Sequence, residues 1–278
     1  MIKISHECPI SLLEESKVFN DYDYALVHLF ESNEEAIAKP YFNYFNNAVE
    51  SGRHVLLDNS LFELGEAFDP EKFLYWINKL KPTEYVIPDA WTDKDKTIGL
   101  AKEWFEKYAH KVPDSCKTIG VVQGKNYDEI VECYNFKSSH VKKIAISFGN
   151  PFYSEIFPHP NKWMALALGR IYVLTKMRDE GIINVAKPHH LLGCAIPLEF
   201  FFYRCGFEWI DTIDTSNPIL HGMFGTKYEP AGILNKQEMK MADLVNTHDI
   251  NEDLLKIIEH NINLFRSYVK GVNRPKIG

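Results

Sequence analysis

Short apolar, β-branched runs alternate with longer stretches of helical character along almost the whole chain, and eight such runs can be marked. They lie at 1–5 (MIKIS), 24–30 (YALVHLF), 54–58 (HVLLD), 85–89 (YVIPD), 118–123 (TIGVVQ), 143–148 (KIAISF), 190–195 (HLLGCA) and 209–214 (WIDTID). Helical segments separate them, and consecutive strands joined by helices pair in parallel. A doubly wound sheet would read similarly, but eight units favour closure into a (β/α)8 barrel of the TIM type. The first run is the weakest of the set. Asp69-Pro70 and Asp93 carry the signature of helix N-caps, with Pro70 at the first helical position. The Gly-, Pro- and Asn-rich stretch 216–235 reads as a long loop after the last strand. Residues 252–270 carry a helical apolar repeat. The expected organisation is one α/β domain over 1–278, with 236–278 as a helical C-terminal extension.

Four of these strands end in a group that can do chemistry: Asp58, Asp89, Gln123 and Asp214. Side chains on a strand alternate faces. Leu56 therefore shares a face with Asp58, Ile87 with Asp89, Val121 and Ile119 with Gln123, and Thr212 and Ile210 with Asp214. Each strand directs a mostly buried face that closes on a carboxylate or amide. The C-terminal rim of a parallel barrel is where such a fold keeps its active site. At such a position Asp214 can serve as nucleophile, metal ligand or structural cap, and Asp58 has the same options. Two carboxylates in different environments can divide acid/base and nucleophilic roles. Asp89 and Gln123 could together read the edge of a heterocycle, since a carboxylate only accepts while an amide donates and accepts. Phe62 could stack on an aromatic ligand or be an ordinary core residue.

The net charge of −7 argues against broad electrostatic adhesion to nucleic acid but leaves room for a local basic patch. The candidates are Lys142–Lys143, Lys236 with Lys240, and Arg266, Lys270, Arg274 and Lys276; a solvated face is the simpler reading of each. Five scattered cysteines suit reduced thiols in a cytoplasmic setting rather than a disulfide framework. No apolar run approaches a membrane span, and the N-terminus lacks a signal-like stretch. Aromatic residues make up 13% of the chain, enough to furnish an apolar homodimer surface.

The ordered motifs resemble those of the tRNA-guanine transglycosylase superfamily, whose members exchange guanine for a 7-deazaguanine on a (β/α)8 barrel. The family's D-S-G-G-F-Q segment is similar to Asp58-Asn59-Ser60-Leu61-Phe62-Glu63, which would make Asp58 the acid/base group and Phe62 the stacking ring. Asp89 in VIPDA matches the family's purine-reading aspartate, and Gln123-Gly124 its Q-G. Lys143-Ile144-Ala145-Ile146-Ser147 resembles the G-L-A-V-G segment whose backbone contacts the base. Leu191-Leu192-Gly193 resembles L-M-G. Asp211 to Pro218 resembles D-x-F-D-C-V-x-P, which would make Asp214 the nucleophile. The resemblance spans roughly residues 54–218 and keeps the motif order. It departs where Ser60 and Leu61 replace paired glycines and Glu63 replaces the amide.

Members acting on tRNA usually carry zinc after the nucleophile, held by three cysteines and a histidine. Every cysteine here precedes Asp214, so His221 and His248 alone cannot rebuild that site. No appended RNA-binding domain follows. The resemblance thus implies exchange without a metal or organic cofactor, on DNA in preference to tRNA, as in the phage-type DNA branch (host cytoplasm, if phage-encoded), with a 7-deazaguanine base as second substrate. Three alternatives stay open. One is a tRNA-acting enzyme with a trimmed docking surface. Another is a non-catalytic, nucleic-acid-binding partner subunit. The third is a metal-dependent barrel enzyme using His54, His189 and His190, although the last two project to opposite strand faces.

Overall fold

A computed structural model of the chain describes residues 1–237, 239 and 250–271. The eight expected strands are all present: β1 Lys3–His6, β2 Asp23–Leu26, β3 Val55–Asp58, β4 Glu84–Val86, β5 Lys117–Val122, β6 Lys143–Ile146, β7 His189–Leu191 and β8 Ile210–Thr215. All pair in parallel, in the order β1-β8-β7-β6-β5-β4-β3-β2. That order, running from one end of the chain round to the other, is a nearly closed (β/α)8 barrel. Their residues are almost wholly buried because helices cover the outer face and side chains fill the inside.

The seam lies between β1 and β2, where Asn20 and Asp21, just ahead of β2, bond β1 through their side chains and one backbone N–H. Asn20 accepts from the His6 N–H at 2.7 Å and donates to the His6 carbonyl at 3.2 Å. Asp21 accepts from the Ile4 N–H at 3.0 Å, and its own N–H donates to the Ile4 carbonyl at 2.9 Å.

The outer layer comprises α1 Leu13–Phe19, α2 Glu35–Glu50, α3 Leu61–Leu64, α4 Pro70–Leu80, α5 Lys94–Lys107, α6 Tyr127–His140, α7 Pro151–Ile156, α8 Lys162–Asp179, α9 Asn217–Met223 and α10 Glu252–Lys270. Asp69 caps α4 by accepting from the Glu71 and Lys72 N–H groups, and Asp93 caps α5 through the Lys96 N–H. Two expectations need correction. The stretch 216–235 is not loop throughout, since its first part is α9, with Pro218 in the first turn, where proline's missing N–H costs nothing. The segment 197–206 (PLEFFFYRCG), whose composition suggests the helix between the last two strands, forms only a 3-10 turn, Pro197–Phe201, because Glu199 turns inward to the buried Arg170.

The C-terminal helix packs on the barrel as expected, and α10 closes the seam. Arg266 and Lys270 both bond the Asp21 carboxylate, at 3.0 and 2.8 Å, and Arg266 also donates to the Phe19 carbonyl. These two residues are therefore structural clamps rather than part of a free basic patch. Lys240, His248, Arg274 and Lys276 lie outside the described residues. No helix among the described residues is long and apolar enough to cross a membrane.

Candidate active site

The loops after the strands enclose a cavity of roughly 140 Å³ at the C-terminal rim of the barrel. Asp58, Asp89, Gln123 and Asp214 all line it, as do Phe62, Leu192 and Gly193. The sequence-predicted residues thus converge, and the geometry separates them into two groups.

Asp214 is the last residue but one of β8 and is surrounded by donors. His190 Nε2 lies 3.0 Å from Oδ1, and the Gly193 N–H donates to both carboxylate oxygens, at 3.1 and 3.0 Å. Gly193 sits at φ +63°, in the left-handed region where glycine is favoured. His190 is fixed in turn by Thr212, with Nδ1 2.9 Å from Oγ1. The Leu192 carbonyl is held by Arg170 at 3.0 Å, and Arg170 makes a bidentate, fully buried pair with Glu199 at 2.8 Å. That pair anchors the turn presenting the Gly193 N–H. Burial alone would raise Asp214. The His190 bond and charge, a bond from Glu7 and the Gly193 N–H outweigh it, so its carboxyl is held below the ordinary range.

Glu7 follows β1, beside Asp214. Its own N–H donates to the Thr215 carbonyl at 3.0 Å, and its carboxyl is hydrogen-bonded to Asp214. Burial, then the charge and hydrogen bond of Asp214, push Glu7 well above the usual carboxylate range. Glu7 therefore holds the proton and donates to an ionised Asp214.

Asp58 is in a third state. Burial pushes it up to about 7, against the opposing pull of the Ser60 N–H and the Tyr24 hydroxyl, which donate to it at 2.7 and 2.9 Å. A carboxyl near neutrality is placed for general acid/base work.

On the far side of the barrel, Asp89 accepts from Asn59 Nδ2 at 2.7 Å and from Gln123 Nε2 at 2.8 Å. The Thr92 N–H donates to Gln123 Oε1 at 3.0 Å, which fixes the amide so that its second N–H remains for a ligand. Burial raises Asp89 despite these two partners. The mouth carries the exposed rings of Phe62 and Trp91. Lys236 Nζ stands 5.6 Å from the Phe62 ring centre and 5.8 Å from that of Phe148. Burial lowers its pKa, and its ammonium has no hydrogen-bond or ion-pair partner among the described residues.

Four expected contact residues do not line this cavity. Ile144 and Ala145 are fully buried within β6; the chain reaches the rim only beyond the strand, at Ser147, Phe148 and Gly149. Ser60, at φ 60°, supports Asp58 through its N–H, and its hydroxyl accepts from the His28 N–H at 3.3 Å. Gly124 packs under α6, where a Cβ would stand 2.7 Å from the Ile130 nitrogen.

The histidines considered as metal ligands are spread apart. His190 faces inward to Asp214, and His189 faces outward to the Tyr134 hydroxyl at 2.9 Å. His54 bonds Glu84 at 2.8 Å at the opposite end of the barrel. His221 lies 3.4 Å from the Asn235 carbonyl. Among the described residues no cluster of three or more His, Cys, Asp or Glu is arranged to hold a metal ion.

Glu7, Asn59, Trp91 and His190 have site roles that the strand-end pattern does not assign. Asn59 adjoins Asp58 and Trp91 lies two residues beyond Asp89, so both were within reach of that pattern. Glu7 had no comparable signal. A scan of protein-family models finds no match to the chain, and a search of curated proteins finds none either. The functional reading therefore rests on the geometry and on the motif order.

Proposed function

We propose that this chain is a base-exchange transglycosylase that replaces guanine in DNA with a 7-deazaguanine through a covalent Asp214–glycosyl intermediate. The observation that carries the reading is the division of protonation states across one cavity. Asp214 is ionised by converging donors, Asp58 titrates near neutrality, and Asp89 with Gln123 presents acceptors and a donor on the opposite wall. Groups whose environments push their pKa values apart mark an acid/base and nucleophile assignment.

The chemistry follows from that division. An Asp214 oxygen bonds to C1′ of the target nucleotide while the C1′–N9 bond breaks. Asp58 gives its proton to the departing guanine and becomes a carboxylate. It then takes the N9 proton of the incoming 7-deazaguanine, whose N9 bonds to C1′ and releases Asp214 as a carboxylate. Asp89 and Gln123 hold each base in turn, with Phe62 and Trp91 offering stacking faces at the mouth. The target nucleotide leaves its stack to enter. Lys236 supplies the positive charge suited to a backbone phosphate.

The test is covalent trapping. Protein is incubated with guanine-containing duplex DNA, or separately with tRNA, plus a 7-deazaguanine base, and intact mass is read after denaturation. An adduct with DNA, absent in Asp214→Asn, is the expected result. An adduct with tRNA alone would move the substrate to RNA and keep the chemistry. Binding of nucleic acid with no adduct would favour a non-catalytic partner subunit.

A further inference from the structure

Under the exchange reading, the strand order sets where each part of a nucleotide lies. Asp89 and Gln123 belong to the rim of β4 and β5, whereas Asp214 is the last residue but one of β8, which pairs with β1 on the opposite arc of the barrel. With its base against β4 and β5, a nucleotide brings its sugar to β8 and β1. In a β-nucleoside the base stands on one face of the furanose, and in-line displacement brings the nucleophile to C1′ from the other face. The 2′-hydroxyl of ribose projects from that second face. Groups hydrogen-bonded to Asp214 on its cavity side therefore lie next to C2′.

His190 and the Gly193 N–H approach Asp214 from β7. Glu7 approaches from β1, where Ser5 pairs with Asp214 and His6 with Thr215. The extra bond from the Glu7 N–H to the Thr215 carbonyl continues that register by one residue, which fixes the Glu7 side chain at the cavity wall.

We propose that Glu7 is the sugar-specificity residue of this site and that it selects 2′-deoxyribose over ribose. Its side chain stands at the cavity wall one residue beyond the β1–β8 register, with its carboxyl bonded to that of Asp214. A 2′-hydroxyl in the same place competes with Glu7 for the Asp214 carboxylate in a confined cavity. The group displaced exchanges a charge-assisted bond to a carboxylate for a weaker one to a neutral hydroxyl oxygen. The C2′ methylene of deoxyribose makes no such demand, so the Glu7–Asp214 pair survives substrate binding.

The test compares two duplexes of one sequence that differ only in carrying the exchanged guanosine as the deoxy or the ribo nucleotide. Exchange is followed by incorporation of labelled guanine, and the deoxy/ribo ratio of kcat/KM is measured for wild type, Glu7→Ala and Glu7→Gln. Glu7→Ala should lower the ratio by about tenfold or more, within the range a site gains by rejecting a misplaced hydroxyl. Glu7→Gln keeps a donor to Asp214 and should hold the ratio within about threefold of wild type. A folded, active Glu7→Ala whose ratio matches wild type would overturn the proposal alone. Should Glu7→Ala not fold, Glu7→Asp, which withdraws the carboxyl by one methylene, is read against the same two outcomes. Wild-type protein that exchanges neither duplex would remove the exchange reading together with this proposal.

Discussion

At the N-terminal end of the barrel, Lys143 reaches Glu84 at 2.8 Å, Asp211 at 2.9 Å and Thr212 at 3.3 Å, and His54 closes on Glu84 at 2.8 Å. At the C-terminal rim, Glu7, Asp58, Asp89 and Asp214 share one cavity with Lys236. Both ends withdraw charge from water, which is costly unless it is paired. At the lower end opposite charges meet directly. Burial alone would raise Glu84, but His54 and Lys143 bring it down to about 2. At the rim the carboxyl groups face one another, His190 and backbone or amide N–H donors, and their protonation states split. The lower arrangement holds strands together. The upper one leaves its carboxyls in different protonation states, which is the pattern the proposed function draws on.

The sharpest way to break the comparison is to neutralise one carboxylate at each end. Asp214→Asn should lower exchange by about four orders of magnitude or more, the scale of losing a nucleophile, while leaving the melting temperature close to wild type or above it. Glu84→Gln should do the reverse. It leaves the buried Lys143 with Asp211 as its remaining ion-pair partner and should cost about 1–3 kcal/mol in chemical denaturation, with little change in activity per folded molecule.

The two ends should also answer pH with opposite signs. Glu84 has its folded value depressed from 4.5 to about 2. Its stabilisation is present above 4.5 and is lost as pH falls toward 2, so the Glu84→Gln penalty should shrink over that interval. Asp58 has its folded value raised from 3.8 to about 7. Its ionisation in the folded state costs stability, absent below 3.8 and complete above 7, so Asp58→Asn should raise the melting temperature most at alkaline pH. The same variant should lose about 10²–10⁴ in rate, together with the limb of the pH–rate profile near 7. A melting curve for Asp58→Asn that tracks wild type at every pH would remove the contrast. The smallest effect is expected at the mouth, where Phe62→Ala should weaken base binding by about 1–3 kcal/mol, the value of one stacking face, seen in KM rather than kcat.

The fold was legible because local chemistry and topology agree. β-Branched runs formed strands starting within two residues of the expected positions, although β2, β4 and β7 stop three or four residues short of the expected ends, and even the weak first run became β1, because pairing with β8 supplies what its sequence lacks. Pro218 marked a helix start that the surrounding glycines and prolines obscured. Glu199 ended a helical pattern early because Arg170 draws it inward. In the site, the strand-end rule reached Asp58, Asp89, Gln123 and Asp214, whose positions depend on their own strands. It could not reach Glu7 or Lys236. Their place in the cavity depends on which distant strand or segment closes beside them, and a linear pattern carries no record of that. Ile144 and Ala145 were set too deep because the matched segment was aligned ahead of the rim.

The side-chain seam between β1 and β2 bears on how the protein is made. β1 has its ladder partner in β8, the last strand to be synthesised, and the clamp on Asp21 comes from Arg266 and Lys270 in a helix later still. Domains tend to form from the N-terminus as the chain emerges, yet here the first strand must wait for the end of the barrel. Until then β2 and β7 are open edges, and the Glu7–Asp214 pair does not exist. A nascent chain can therefore build most of its barrel on the ribosome while the cavity at its rim is still incomplete, and a product cut short before β8 lacks the Glu7–Asp214 pair altogether.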